Sequence, residues 1–530
     1  MNLTGDNFIG FKKCANGDNT FQAFSPSDNE YLPLNFTRAT QEEFEKALLL
    51  AKKAFIVYRK ISYERRAQFL DSIANEIMNL GDILLERCVQ ESGLTIERIT
   101  GERGRTCNQL RLFAQLLRDG TWLDARIDKP QPNRQPIPKS DIRRMLIPIG
   151  PVAVYGASNF PLAFSTAGGD TASALASGCP VIIKAHSSHP GTNALVSSAI
   201  IKAAKDTGMP EGVFSSLYLS HKDSVKLVEH PIIKAVGFTG SQQVGMTLFK
   251  AAVNRMDPIP VFAEMSSINP VILMENALEK QKSTIAKGLA ASINLGVGQF
   301  CTNPGLVLIV DNESSIGFLE EFIFEFKKSL PGTMLNKNIH NSCINGVKTL
   351  IKNQNITLIA KAEQIADLQK TEGQPVVFSV NAAEFLSNKA LSEEVFGPVT
   401  LFVICKNSTE RLEVLDSLGG QLTATIHAVQ EDEDEVTPVI NIITQKAGRI
   451  IYGGYPTGVE VGHSMQHGGP FPATTNANST SVGSAAILRF VRPVAFQDFP
   501  DVFLPDALKN GNPLNVMRLV DGNFTKNMIE

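Results

Sequence analysis

The segments that decide the fold are short apolar runs, beginning with Pro151-Val152-Ala153-Val154-Tyr155 and Pro180-Val181-Ile182-Ile183-Lys184. A third run, Lys234-Ala235-Val236-Gly237-Phe238, follows after a strand predicted at 213–219. Segments with helical periodicity separate them, including predicted helices over about 163–177 and 191–207. Strands that are apolar throughout and alternate with helices indicate a parallel sheet covered on both faces. The sequence therefore predicts an α/β fold.

Polar residues follow several of these strands. Ser158 and Asn159 come after the first, Lys184 and Ser187 end and follow the second, and Thr239-Gly240-Ser241 follows the third run. Because parallel sheets bind ligands at the carboxyl ends of their strands, we expect these residues to share one site. The last segment also opens a helix, whose N-terminus suits a phosphate, although the usual dinucleotide fingerprint GxGxxG is missing.

A candidate nucleophile is Cys301, in Gly296-Val297-Gly298-Gln299-Phe300-Cys301-Thr302-Asn303-Pro304-Gly305. Free cysteines are often inert core residues, but flanking glycines allow a ligand to approach the backbone closely. Thirty-seven positions earlier, Glu264 ends an apolar run ahead of two serines. A thiolate can attack a carbonyl carbon, and a carboxylate can then activate water against the resulting thioester.

Composition narrows the functional class. The chain has 530 residues, of which 43% are hydrophobic and 19% charged, and a net charge of −3, which indicates a globular protein of two or three domains. The absence of Lys/Arg blocks disfavours nucleic acid as a partner, and the absence of a long apolar run disfavours a membrane. Seven cysteines without CxxC spacing predict a cytoplasmic, reducing environment. No metal is expected, because no HExxH or Cys/His cluster occurs.

The outer parts of the chain carry further signals. Thr40-Gln41-Glu42-Glu43 has the form of a capping box at the start of a helix, and Gly81 is placed to stop a second helix over about 63–80. A second α/β stretch covers about 284–454. Beyond it, the chain is rich in Gly, Pro, Ser and Thr and contains His463, in a loop long enough to suggest a functional role.

Taken together, the motifs resemble those of the NAD(P)-dependent aldehyde dehydrogenases, in the same order over about 40–500. Those motifs are Ser158-Asn159-Phe160-Pro161, Lys184, Phe238-Thr239-Gly240-Ser241, Glu264, Gln299-Phe300-Cys301 and Glu394-Val395-Phe396-Gly397-Pro398. The tail, including 455–461, 467–474 and 489–494, resembles the subgroup that oxidises 2-oxoglutarate semialdehyde (2,5-dioxopentanoate) to 2-oxoglutarate. Long-chain aldehyde dehydrogenases share much of that tail, so an NADP-dependent enzyme for medium or long aliphatic aldehydes is the alternative.

The resemblance implies a role for each matching residue. Cys301 would attack the aldehyde, Asn159 would hold the oxyanion together with the Cys301 backbone N–H, and Glu264 would activate water. The residues implied for the cofactor are Ser158 through its backbone, Lys184 at the adenosine ribose, Gly240 and Ser241 at the pyrophosphate, Glu394 at the nicotinamide ribose, and Phe396 beside the nicotinamide.

The sequence departs from the family pattern in ways that bear on specificity. Ser187 stands where NAD-preferring relatives carry a glutamate, so nothing repels a 2′-phosphate, and Lys222 could pair with it. We therefore expect NADP to be preferred, with NAD possible. Met265-Ser266-Ser267 replaces Leu-Gly-Gly after the base and leaves its freedom to swing open. His463 is a candidate for the substrate site or for lowering the thiol pKa, and equally reads as a surface loop residue.

The implied architecture has two doubly wound parallel-sheet domains and a bridging oligomerisation arm. Its segments are 1–123 and 145–265 for the dinucleotide, 266–462 for catalysis, 124–144 and 481–496 for the oligomerisation strands, and 497–530 as a C-terminal tail. Since such arms are stable only when paired, a homodimer or homotetramer is expected. Two rivals remain: a CoA-acylating enzyme, which would not require Glu264, and a dinucleotide-binding protein without catalysis.

Overall fold

The computed structural model describes residues 3–367 and 369–529. Met1, Asn2 and Glu530, which belong to the predicted dinucleotide and tail segments, lie outside the described residues. The helices are, in chain order, α1 Gln41–Tyr58, α2 Tyr63–Asn79, α3 Gly81–Ser92, α4 Ile96–Asp119, α5 Gly169–Ser177, α6 Pro190–Asp206, α7 His221–Glu229, α8 Gln242–Val253, α9 Glu275–Asn294, α10 Glu313–Lys327, α11 Lys337–Lys352, α12 Ala382–Ser387, α13 Ser408–Ser417 and α14 Glu433–Lys446.

The strands are, in chain order, β1 Asn7–Ile9, β2 Lys12–Cys14, β3 Thr20–Ser25, β4 Glu30–Thr37, β5 Arg126–Asp128, β6 Ile142–Pro148, β7 Val152–Tyr155, β8 Val181–Lys184, β9 Phe214–Leu217, β10 Ala235–Thr239, β11 Val261–Glu264, β12 Val271–Leu273, β13 Leu306–Val310, β14 Gly332–Thr333, β15 Thr357–Lys361, β16 Glu372–Gly373, β17 Val376–Asn381, β18 Val399–Cys405, β19 Gln421–His427, β20 Ala447–Tyr452, β21 Val491–Gln497, β22 Arg518–Val520 and β23 Asn523–Thr525.

The first large sheet has the strand order β11-β10-β7-β8-β9-β1-β2, and β7 to β11 run parallel. Its strands are buried on both faces. In β7, Val152 and Val154 pack in the core formed with helices α2 to α6, whereas Ala153 and Tyr155 pack in the core formed with α1, α7 and α8. This alternation confirms the predicted α/β fold, and it sets the polar strand ends of β7, β8 and β10 side by side.

A second sheet follows the order β15-β17-β18-β13-β12-β19-β20. All of its neighbours pair in parallel except β15, which pairs antiparallel with β17. Helices α9 and α10 supply much of its core through buried residues such as Leu289 and Phe322. The chain between β12 and β13, which contains α9 and Cys301, therefore emerges from the middle of this sheet.

A third sheet has the order β21-β6-β5-β22-β23 and joins chain segments that are far apart in sequence. The long pair is β6 with β21, antiparallel from Ile142↔Gln497 to Pro148↔Val491. Of the predicted strand 481–496, residues 484–490 form a 3₁₀ helix instead, because the buried Arg489 turns inward to pair with Asp170 at 2.6 Å. The segment predicted as a tail adds β22 and β23 to this sheet.

The predicted helix over 163–177 begins only at Gly169. The reason lies in α4, where Oε1 of the buried Glu102 accepts hydrogen bonds from the backbone N–H groups of Leu162 and Ala163 at 2.8 and 2.9 Å. These bonds stabilise a turn in place of a first helical turn. The turn follows Asn159 directly and keeps it at the end of β7.

Helix boundaries in the N-terminal region follow local capping chemistry. The capping box at α1 is present, with Thr40 and Glu43 each bonding the other's backbone. Gly81 does not end the helical region as predicted, because α3 begins at Gly81 itself, with φ +58° marking a kink after α2. Within the described ranges, no helix combines the length and apolar character needed to cross a bilayer.

Candidate active site

The loop that carries Cys301 follows α9 and has an unusual backbone. Gly296, Val297 and Gly298 all lie in the left-handed region, with φ of 56°, 59° and 64°. A Cβ added at Gly298 would lie 2.1 Å from the carbonyl oxygen of Gly397, so only glycine fits there. The loop therefore packs directly on the segment that contains Glu394 and Phe396.

Three side chains from distant segments meet at the thiol. His467 Nε2 lies 3.4 Å from Cys301 Sγ and 3.0 Å from Glu264 Oε1. Glu264 ends β11, next to Thr239 of β10, and its other oxygen accepts a 2.5 Å hydrogen bond from Ser481 Oγ. The side chains of Glu264 and His467 are almost fully buried. The imidazole thus lies between nucleophile and carboxylate.

The charges of this cluster act on one another. Burial and the Glu264 carboxylate hold the pKa of the Cys301 thiol well above its usual value, and Arg105 opposes this. Burial alone would raise the pKa of Glu264, but contacts with His467, Ser481 and the thiol keep it below its usual value. Glu264 is therefore ionised at neutral pH, and the thiol needs a base to lose its proton.

Asn159 lies beside the thiol loop. Its side-chain Nδ2 donates to the carbonyl of Gln299, two residues before Cys301, at 3.1 Å. Its own carbonyl accepts from Arg98 Nη2 at 3.1 Å. A primary amide has two N–H groups, so one remains for an oxyanion at the sulfur.

A cavity of about 240 Å³ opens onto Cys301. Three phenylalanines and two arginines give it an apolar wall with positive charge; its lining is Arg98, Gly101, Glu102, Arg105, Phe160, Phe164, Phe300, Cys301, Thr302, Thr457 and Val459. Glu102, the carboxylate in this lining, is already engaged with two backbone N–H groups and lies 3.8 Å from Arg98 Nε.

The two arginines of the cavity differ in their partners. The Arg98 guanidinium is sandwiched between the rings of Phe160 and Phe300, at 4.5 and 4.4 Å from their centroids. Arg105 donates through Nε to Val459 O at 3.4 Å, but its buried Nη2 has no hydrogen-bond partner among the described residues. Since a buried guanidinium nitrogen normally finds an acceptor, Arg105 has a free donor for a ligand.

Residues predicted for a cofactor lie on the other side of the thiol loop, along the ends of β8 and β10. Lys184 ends β8, and burial together with the nearby Arg38 guanidinium lowers the pKa of its ammonium group to about 8. Gly240 and Ser241 are exposed at the start of α8, where Ser241 Oγ accepts from Val244 N. Ser187 and Lys222 are also exposed.

The remaining predicted residues are half-buried. Ser158 precedes Asn159, and Phe396 lies in the segment packed on the thiol loop. Burial raises the pKa of Glu394 to about 8, although bonds to the Ser266 hydroxyl and the Ser267 backbone oppose the shift. The serines after Glu264 thus contact Glu394, a link that their sequence position did not reveal.

The histidine at the thiol is His467, whereas the sequence singled out His463. His463 Nδ1 lies 3.1 Å from Ser484 Oγ instead. Sequence reasoning also missed Arg98, Arg105 and Ser481 as site residues. The segment 467–474 had been quoted as a family motif, and that was the available signal for His467.

With the geometry established, comparison with known proteins places it in context. The family model described as "Aldehyde dehydrogenase family" matches residues 13–470. The chain is 49% identical over 524 residues to alpha-ketoglutaric semialdehyde dehydrogenase 2 of Azospirillum brasilense, covering 98% of this chain and 99% of that protein. It is 45% identical over 524 residues to alpha-ketoglutaric semialdehyde dehydrogenase of Acinetobacter baylyi, covering 99% of each.

Solved structures share the fold at lower identity. Betaine aldehyde dehydrogenase of Staphylococcus aureus in complex with NAD+ matches with a TM-score of 0.79 at 19% identity, covering 94% of this chain and 96% of that one. A 3,6-anhydro-L-galactose dehydrogenase matches with a TM-score of 0.79 at 22% identity, covering 93% and 99%.

Proposed function

Because this chain belongs to the aldehyde dehydrogenase family, and so oxidises an aldehyde group with a nicotinamide cofactor, we propose that its substrate is 2-oxoglutarate semialdehyde and its product 2-oxoglutarate. The observation that carries this proposal is the cavity at Cys301, which combines a small volume with the unpartnered Arg105 Nη2. The names of the two relatives at 45% and 49% identity support the same substrate.

Charge selects this substrate within the cavity. The far end of 2-oxoglutarate semialdehyde is a carboxylate next to a carbonyl, and a guanidinium is the side chain best suited to bind such a group. Arg105 has a free donor, whereas Arg98 is held by two rings and a backbone carbonyl. Arg105 therefore binds the substrate carboxylate while the aldehyde carbon faces Cys301.

The alternatives fit less well. A cavity of about 240 Å³ with two arginines suits a five-carbon acid better than a long aliphatic chain. A CoA-acylating enzyme would not require Glu264, which is here held against the thiol by His467 and Ser481. A protein without catalysis would not require the buried cluster of nucleophile, imidazole and carboxylate.

The first chemical step is attack of the Cys301 sulfur on the aldehyde carbon. His467 Nε2, 3.4 Å from the sulfur, accepts the thiol proton, and the adjacent Glu264 carboxylate stabilises the imidazolium that forms. The second N–H of the Asn159 amide and the Cys301 backbone N–H then stabilise the developing oxyanion.

A nicotinamide dinucleotide fits the residues on the other side of the thiol. Gly240 is exposed at the start of α8, and a Cβ there would lie 2.7 Å from the Phe238 ring, so the glycine leaves the backbone open to a pyrophosphate. When bound, the cofactor supplies the hydride acceptor. Lys184 holds the adenosine ribose, Glu394 the nicotinamide ribose, and Phe396 packs beside the nicotinamide, with Ser158 contributing its backbone.

NADP is preferred over NAD. Ser187 and Lys222 are exposed, so a 2′-phosphate next to Ser187 meets no carboxylate and can pair with the Lys222 ammonium. Arg38, close enough to lower the pKa of Lys184, adds a second positive charge to this end of the site.

The last step releases the acid. Glu264, ionised and buried, deprotonates a water molecule that attacks the thioester carbon, and the Cys301 thiolate leaves. Ser481 Oγ, which bonds one carboxylate oxygen at 2.5 Å, fixes the direction of the other.

The protein assembles as a homodimer or homotetramer through the third sheet. Edge strands β21 and β23 carry unpaired backbone groups, and Phe503 and Phe524 nearby are exposed by 71% and 77%. Sedimentation of the purified chain tests this, and a monomer at micromolar concentration would contradict it.

The substrate is tested by comparing kcat/KM for 2-oxoglutarate semialdehyde with kcat/KM for pentanal and decanal, using NADP. We expect the semialdehyde to be preferred over both, because only it carries the carboxylate for Arg105. A preference for decanal would establish the long-chain alternative instead.

A further inference from the structure

The cluster at the thiol also has the composition of a metal site. Donor atoms of Glu264, Cys301 and His467 all lie within 4.8 Å of one another. Thiolate, imidazole and carboxylate are the three ligand types that Zn²⁺ takes in proteins. The sequence predicted no metal because it offered no local ligand spacing, whereas these three residues come from three distant segments.

The distances between donors are close to those of a tetrahedral zinc site. Bonds of about 2.3 Å to sulfur and about 2.0–2.2 Å to nitrogen and oxygen place neighbouring ligands about 3.4–3.6 Å apart. The observed separations are 3.4 Å for Sγ to Nε2 and 3.0 Å for Nε2 to Oε1. Shifts of about half an ångström would therefore complete three ligands, which leaves the fourth position to water from the cavity at Cys301.

The surroundings orient one ligand and leave another unsupported. Ser481 Oγ bonds Glu264 Oε2, and Oε1 has no aligned hydrogen bond among the described residues, so this oxygen is free to coordinate. His467 Nδ1 is buried without a partner among those residues. Metal-binding histidines usually donate this second N–H, so the site should bind zinc more weakly than a structural zinc site does.

We propose that Cys301, Glu264 and His467 bind one Zn²⁺ reversibly and that the bound ion blocks the enzyme. Binding forms bonds from zinc to sulfur, imidazole nitrogen and carboxylate oxygen and releases the thiol proton to solvent, with no change of oxidation state. The nucleophile and the water-activating carboxylate are then both occupied. A chelator restores activity by removing the ion.

The test titrates the purified full-length chain, without cofactor or aldehyde, with zinc alone by isothermal calorimetry. We expect one zinc per chain at this site. Cys301→Ser, Glu264→Gln and His467→Asn should each weaken binding at least about 100-fold, since even loss of an outer-shell partner costs about 10–100-fold. Cys14→Ser, at the other partly exposed thiol, and His463→Asn, in the same loop as His467, are matched controls that should bind as the parent does.

Cobalt(II) provides a second readout. It should give a thiolate charge-transfer absorption that is lost in Cys301→Ser, and zinc should slow iodoacetamide alkylation of Cys301. If Glu264→Gln and His467→Asn, shown to be folded by circular dichroism, bind zinc as tightly as the parent, the thiol acts alone and the proposal fails. Because no aldehyde is used, this outcome is independent of whether 2-oxoglutarate semialdehyde is the substrate.

Discussion

The thiol end and the adenosine end of the site differ in how their charged groups are surrounded. At the thiol end, Glu264 and His467 are buried and contact one another and Cys301. At the adenosine end, Ser187 and Lys222 are exposed to solvent. Water can replace a lost partner at an exposed site but not at a buried one. Substitutions should therefore have large effects near the sulfur and small ones near the adenosine.

The largest effect is expected for Glu264→Gln. An amide cannot take a proton from water, so steady-state kcat should fall about 10²- to 10⁴-fold, the usual contribution of a general base. Thioester formation does not need this base, so rapid mixing should still show a burst of reduced cofactor. Glu431→Gln, at an exposed glutamate paired with Lys280, is the control and should leave kcat unchanged. An unchanged kcat in Glu264→Gln would show that another group activates the water.

Arg105→Met should have the next largest effect and should depend on the substrate. Loss of a hydrogen-bonded charge contact of about 1.5–3 kcal/mol lowers kcat/KM for 2-oxoglutarate semialdehyde about 10- to 100-fold. Pentanal has no carboxylate and should be oxidised as before. Arg103→Met is a matched control on the same helix, since Arg103 bonds Gly81 O and does not line the cavity. Equal losses for both aldehydes would mean that Arg105 only maintains the cavity.

The same contrast separates what the sequence revealed from what it did not. Lys184 and Ser241 were predictable because a strand end and a helix start are local patterns, and β8 and α8 form where expected. His467 is 166 positions from Cys301, in a loop without periodicity, and His463 only four residues earlier looked equally suitable. Arg105 lies on a helix where arginine is ordinary. Which of them reaches the sulfur depends on packing between distant segments, which no local pattern encodes.

An intermediate effect is expected from pH at Lys184, which is half-buried and so lies between the two extremes. Burial and Arg38 lower the pKa of its ammonium group to about 8, so the charged form that binds the ribose is lost as the pH rises through that value. The dissociation constant for NADP should rise above about pH 8, toward about tenfold per pH unit, the limit for one proton. Fluorescence titration measures it, and Lys184→Met should bind weakly with no such dependence. A parent profile that is flat between pH 7 and 10 would exclude Lys184 as the titrating group.

The smallest effect is expected for Ser187→Glu, at the exposed end. A carboxylate beside the 2′-phosphate repels it, but solvent screens the interaction to about 1 kcal/mol, so kcat/KM for NADP should fall about fivefold. NAD has no 2′-phosphate, and its kcat/KM should hold or rise because the carboxylate can accept from the ribose hydroxyls. Lys222→Met should shift the ratio in the same direction. Lys226→Met, one helical turn further on and already paired with Asp223 at 2.9 Å, is the control that should leave the ratio unchanged. An unchanged NADP to NAD ratio in both Ser187→Glu and Lys222→Met would move the 2′-phosphate contact elsewhere, with the Arg38 guanidinium as the remaining cation near Lys184.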